Sequence, residues 1–218
     1  MKLSINLIFF LFTFSLLQLF DQCAQAKKLS FIRDAETEAG IQILIKPILK
    51  AAGLESDSVK LYIVKDPTLN AFVAGGPNIF IHTGLLSASR NASELLAVLA
   101  HEVGHISGGH LSKLFNAQKN ASNRAILGTL LGGVAAILTK NPSAGSALIS
   151  GGQHVGVRTL LRFTRQQELS ADRAALRYLD ESGQTARGML TFMNQIKDQE
   201  LLSINNQDPY VRTHPPSQ

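Results

Sequence analysis

Apolar residues recur at helical spacing between Phe31 and Ala52 (Ile41, Leu44, Ile45, Ile48, Leu49). They predict an amphipathic helix, kinked at Pro47 and closed by Gly53. Val59, Leu61 and Ile63 then alternate with Lys60 and Tyr62, the period of a half-buried strand, and Asp66-Pro67 ends it. Two short β-type runs, Ala71–Ala74 and Ile79–His82, flank Gly75-Gly76-Pro77 and read as a hairpin. From Asn91 onward every regular stretch is helical in pattern, and no internal repeat interrupts it. These elements predict an α+β domain, mostly helical, with a small β-sheet.

A different pattern precedes them. After Lys2 no charge occurs until Asp21, Leu7 to Phe14 is almost wholly apolar, and Ala24-Gln25-Ala26 follows. A basic start, an apolar stretch and small residues before a cut are the parts of a secretory signal peptide, here residues 1–26. Cleavage would leave residues 27–218 as a single domain. The alternative is an uncleaved anchor, since Leu3 to Phe20 is 18 uncharged residues, although five of those are polar. Cys23, the lone cysteine, lies within the leader, so neither a disulfide framework nor a cysteine-rich zinc ribbon is available.

Two further uncharged runs, Ala125–Thr139 and Ser143–Val157, are separated by Lys140-Asn141-Pro142. As helices each would span about 22 Å, short of the roughly 30 Å hydrocarbon core. They predict a buried or cleft-covering helical hairpin, or peripheral membrane contact through residues 125–157. Composition narrows the classes further: 45% hydrophobic and 17% charged residues exclude a disordered chain. The net charge of +5 has no aromatic-interleaved basic motif beside it, so no nucleic-acid partner is expected. Attraction to an anionic membrane surface uses that charge better.

The candidate chemistry sits on the helix beginning at Asn91-Ala92-Ser93-Glu94, whose Asn and Glu spacing suits a capped start. It carries His101-Glu102-Val103-Gly104-His105. At 3.6 residues per turn the two histidines lie about 40° apart on one face, so both imidazoles can reach one metal ion. Glu102 lies about 100° round from His101, too far for a natural third ligand but within reach of a water held at the metal. Glu168 and Asp172 are i, i+4 on a second helix. Glu168 can complete a His₂Glu site with an open fourth position, and Asp172 can accept a hydrogen bond from His101. His110, nine residues beyond His101 and so 180° round the helix, should point away from the metal.

Leu99-Ala100-His101-Glu102-Val103-Gly104-His105 and Glu168-Leu169-Ser170-Ala171-Asp172-Arg173 resemble the gluzincin zinc metallopeptidases of the HtpX and CAAX-prenyl-protease kind. Within that group the match is to the periplasmic branch of β-barrel-assembly-enhancing proteases. Further matching stretches are Asp66–Phe72, Phe80–Leu86 and Asp208–Pro215. The resemblance implies a zincin-like domain with an H-E-x-x-H helix, one Zn²⁺ per chain bound by His101, His105 and Glu168, and Glu102 as catalytic base. It also implies that His214 approaches the zinc as a regulatory fourth ligand. Arg212 is the candidate to stabilise the developing oxyanion. Relatives commonly continue past the His-Pro segment into a helical-repeat domain, which the sequence to Gln218 does not include. The expectation is therefore an exported, periplasmic zinc endopeptidase acting on misfolded or misassembled envelope proteins. The alternative is a zinc-containing holdase for outer-membrane protein assembly with little proteolysis.

Overall fold

The computed structural model describes residues 30–123, 142–197, 199, 202 and 206–214. The leader, and the expected run from 125 to 139, lie outside the described residues. Asp34 starts the first helix: its carboxylate accepts from the backbone N–H of Glu36 and Thr37 at 3.1 and 3.0 Å, so α1 runs Ala35–Ala51. That cap removes Phe31 and Ile32 from the expected helix. They form β1 (Phe31–Ile32) and pair antiparallel with Val64 and Ile63. The helix passes through Pro47 and closes at Gly53, whose φ of +70° is the left-handed conformation of a helix C′ residue.

Strands β2 (Lys60–Val64), β3 (Ala71–Val73) and β4 (Asn78–His82) complete a sheet in the order β1-β2-β4-β3. β3 and β4 form the expected hairpin, and β4 lies parallel to β2. The alternation read in β2 is realised: Ile63 joins Ile79, Ile81 and Ala71 on the buried face, while Tyr62, Phe80 and Phe72 stack across the other with Phe31 tilted against Phe80. After α2 (Thr83–Ala88), helix α3 (Ala92–Ser107) runs through the centre of the domain, buried almost continuously from Leu96 to Gly104. Ile41, Ile45 and Ile48 of α1, Ile79 and Ile81 of the sheet, and Phe192 of α5 (Arg187–Ile196) close the core around it.

Helical residues 110–123 follow α3. Pro142–Glu181 is one continuous helix, α4, which carries both the expected helical run 143–157 and Glu168. The chain reaches Thr213 through α6 (Pro209–Thr213). Among the described residues no helix is long and apolar enough to cross a membrane. The fold is the mostly helical α+β domain expected from the pattern.

Candidate metal centre

Asn91 caps α3 through its side chain, which accepts from the Glu94 backbone N–H at 3.1 Å. The return half of the expected capping box is absent. Glu94 turns back to Arg90 instead, accepting from its backbone N–H at 2.8 Å and its Nε at 3.1 Å. This fixed start sets the rotation of α3. His101 and His105 consequently lie one above the other, with ring centroids 4.7 Å apart.

Helix α4 crosses α3 at the same level. A Cβ on Gly104 would lie 2.8 Å from the carbonyl oxygen and 3.0 Å from the Cα of Ala171, so the two backbones touch there. Gly104 sits between the two histidines in sequence, and Ala171 sits between Glu168 and Asp172. Close approach is what brings the acidic pair within reach of the imidazoles. Because the obstacle is backbone, it cannot yield cheaply. We expect Gly104→Ala to destabilise the domain by about 1–3 kcal/mol and to weaken metal uptake. Thermal unfolding with and without chelator measures both; an unchanged midpoint and unchanged uptake would show that the crossing tolerates a methyl group.

Four side chains converge at this crossing: His101, His105, Glu168 and His214 each direct a donor atom to within 4.8 Å of the others. His101 Nε2 has three neighbours, His105 Nε2 at 3.0 Å, His214 Nδ1 at 3.2 Å and Glu168 Oε2 at 3.3 Å. Glu168 also faces His105 Nε2 at 3.6 Å and His214 Nδ1 at 3.0 Å. Donors held on a tetrahedron about 2.1 Å from a common centre are about 3.4 Å apart, so these separations suit zinc. The donor set suits it too, since three imidazole nitrogens and a carboxylate gathered at one point are the ligand types zinc takes.

Glu102 stands beside the cluster on α3. It is fully buried, and neither carboxylate oxygen has a hydrogen-bond partner among the described residues. His214 Nε2 lies 3.4 Å from its Oε1. The His214 ring therefore spans the site, one nitrogen on the cluster and the other toward Glu102.

Asp172 Oδ1 lies 2.9 Å from His101 Nδ1. A carboxylate only accepts, so this nitrogen carries the hydrogen and Nε2 is left to face the cluster. Burial alone would lower the His101 pKa, but the hydrogen bonds to Asp172 and Glu168 outweigh it and raise it to about 10. Burial would likewise raise Glu168, yet hydrogen bonds from His101, His105 and His214 hold its carboxyl far below the usual range. A cation entering the site must therefore displace a proton from His101. Tyr210 is buried, its phenol pushed well up by burial and by Glu102, Asp172 and Glu168, so it stays protonated.

The segment bearing His214 is fastened from both sides. Asp208 accepts from the backbone N–H of Leu69 at 3.3 Å and from Gln199 Nε2 at 2.6 Å. The Tyr210 N–H donates to the Leu69 carbonyl at 3.3 Å, and its ring packs against Phe192 (5.2 Å) and His214 (4.7 Å). Arg212 is exposed on α6.

Two residues escaped the sequence reading. His110 does not point away from the cluster: its Nδ1 lies 3.0 Å from His105 Nδ1, because α3 ends at Ser107 and the chain turns at Gly109 (φ +60°). The Gly108-Gly109 pair was the available signal. Tyr210 had no local signal beyond its place in the Asp208–Pro215 stretch.

Residues 35–218 match the profile of peptidase family M48. The chain is 30% identical over 154 residues to the β-barrel assembly-enhancing protease of Escherichia coli K12, which covers 71% of this chain and 31% of that protein. It is 30% identical over 139 residues to the mitochondrial metalloendopeptidase OMA1 of Schizosaccharomyces pombe, covering 64% of this chain and 38% of the relative. With the metalloprotease LoiP of Escherichia coli K12 it shares 24% identity over 160 residues, 72% of this chain and 57% of the relative. The alignment thus spans about a third of the length of the β-barrel assembly-enhancing proteases. The chain belongs to peptidase family M48, the zinc metalloproteases that the motifs resembled.

Proposed function

We propose that this domain is a zinc endopeptidase, exported to the bacterial envelope, that hydrolyses peptide bonds of misfolded or misassembled envelope proteins. The observation that carries the reading is the convergence of four metal-type donors beside the buried, unpartnered carboxylate of Glu102. In this reading His101, His105 and Glu168 hold one Zn²⁺ per chain. When bound, the ion supplies Lewis acidity, making a water more acidic and polarising the scissile carbonyl. Glu102 takes the proton of the attacking water and returns it to the leaving amine. Asp172 keeps the His101 ring and its tautomer fixed. The leader pattern over residues 1–26 supports export, with residues 27–218 as the mature domain. The envelope assignment is supported by the names of relatives that include β-barrel assembly-enhancing proteases.

His214 restrains the site in this reading. It fills the fourth corner of the cluster and faces Glu102, the space a substrate carbonyl and its water require. His214 Nδ1 lies 3.0 Å from the Glu168 carboxylate, and a hydrogen bond to a charged group is worth about 1.5–3 kcal/mol, so His214→Ala is expected to raise turnover roughly 10–100-fold with zinc content unchanged. Unaltered turnover at unaltered zinc content would remove the restraint. The same closed geometry favours the second reading, a holdase that binds clients without cutting them. An unfolded-client cleavage assay with and without chelator separates the two. Chelator-sensitive cleavage supports the endopeptidase; client protection by both the parent and Glu102→Gln, with no cleavage by either, supports the holdase.

A further inference from the structure

The geometry points to His110 as a positioning residue for His105: it accepts the His105 Nδ1–H and so fixes which nitrogen His105 presents to the metal. The inference rests on the metal reading above and adds a residue to it. His105 Nε2 faces the cluster, 3.0 Å from His101 Nε2 and 3.6 Å from Glu168 Oε1. For that nitrogen to offer a lone pair, the hydrogen of the neutral ring must sit on Nδ1. His110 Nδ1 lies 3.0 Å from it, the two rings edge to face at 84°. His101 has Asp172 for this task; His105 has His110.

The backbone is shaped for the contact. Along an unbroken helix His110 would project opposite His101. Instead α3 stops at Ser107, Gly109 takes a φ of +60°, and the next helical stretch begins at residue 110 with its first side chain folded back. The returning His110 ring, buried at 5% exposure, lies over Gly108, where a Cβ would collide with Nε2 and Cδ2 of that ring. Gly108 has φ −73°, which any residue adopts, so the space above it, and not its backbone, is what calls for glycine.

Zinc affinity of the full chain, measured by competition with a chelating dye, tests the role. His110→Phe keeps a ring and removes the acceptor; it is expected to lower affinity about 10–100-fold. His110→Gln, whose Oε1 accepts, is expected to restore most of that loss. Gly108→Ala should mimic His110→Phe by displacing the ring without touching a titratable group, which keeps the test open should His110→Phe fold poorly. In ¹⁵N-histidine NMR of the parent, a scalar coupling between the Nδ1 nuclei of His105 and His110 is expected. Affinities equal to the parent in His110→Phe and Gly108→Ala, or no coupling between the assigned rings, would overturn this role alone. A parent that takes up no zinc would overturn the metal reading and this role with it.

Discussion

Glu102→Gln is expected to lower peptide hydrolysis by about 10²–10⁴-fold, the usual contribution of a positioned general base, while leaving zinc content and unfolding temperature close to those of the parent. Glutamine matches glutamate in shape, so the fully buried site on α3 loses no packing. Glu102 lies outside the set of four converging donors, so its replacement removes no ligand atom. What goes is the proton-accepting capacity of two oxygens that no described residue engages. Steady-state cleavage of an unfolded client, beside metal analysis of the same preparation, separates the effects. A tenfold or smaller loss would assign the base to another group. A large loss accompanied by zinc loss would make Glu102 a structural support of the site.

Glu168→Ala is expected to act on the metal itself. Its carboxylate contacts three imidazoles, at 3.0 Å to His214, 3.3 Å to His101 and 3.6 Å to His105, and it alone among the four donors brings a negative charge. Removing an outer partner of a ligand costs about 10–100-fold in affinity; removing this charged donor should cost more than hundredfold. Linkage supplies a second readout. A ligand present at 100 times its dissociation constant stabilises a folded domain by about 2.7 kcal/mol, so chelation should lower the unfolding temperature of the parent and barely move that of Glu168→Ala. Equal responses to chelator in the two proteins would place the metal elsewhere.

The residues that could be read in advance are those whose geometry is local. His101 with His105, and Glu168 with Asp172, are each i, i+4 on a helix, and one turn of helix fixes their common face whatever surrounds it. The alternation in β2 and the Gly75-Gly76-Pro77 turn are local in the same sense. What escaped depends on partners far along the chain. Phe31 and Ile32 are strand because Val64 and Ile63 offer them an edge, and Asp34 caps the helix before it can include them. The seating of His214 rests on Asp208 and Tyr210 meeting Leu69, 139 residues from Asp208 in sequence. His110 was misplaced for a different reason: constant rotation per residue was carried past Gly108-Gly109, where the helix had ended.

The central claim, that the crossing of α3 and α4 is a zinc site, is tested most directly by metal analysis of the purified full chain and of His105→Ala. The prediction is close to one zinc per parent chain, removed by chelator, and a strongly reduced content in the variant at equal fold by circular dichroism. A parent that carries no zinc after equilibration with the metal, or a variant that keeps its full complement, would contradict it.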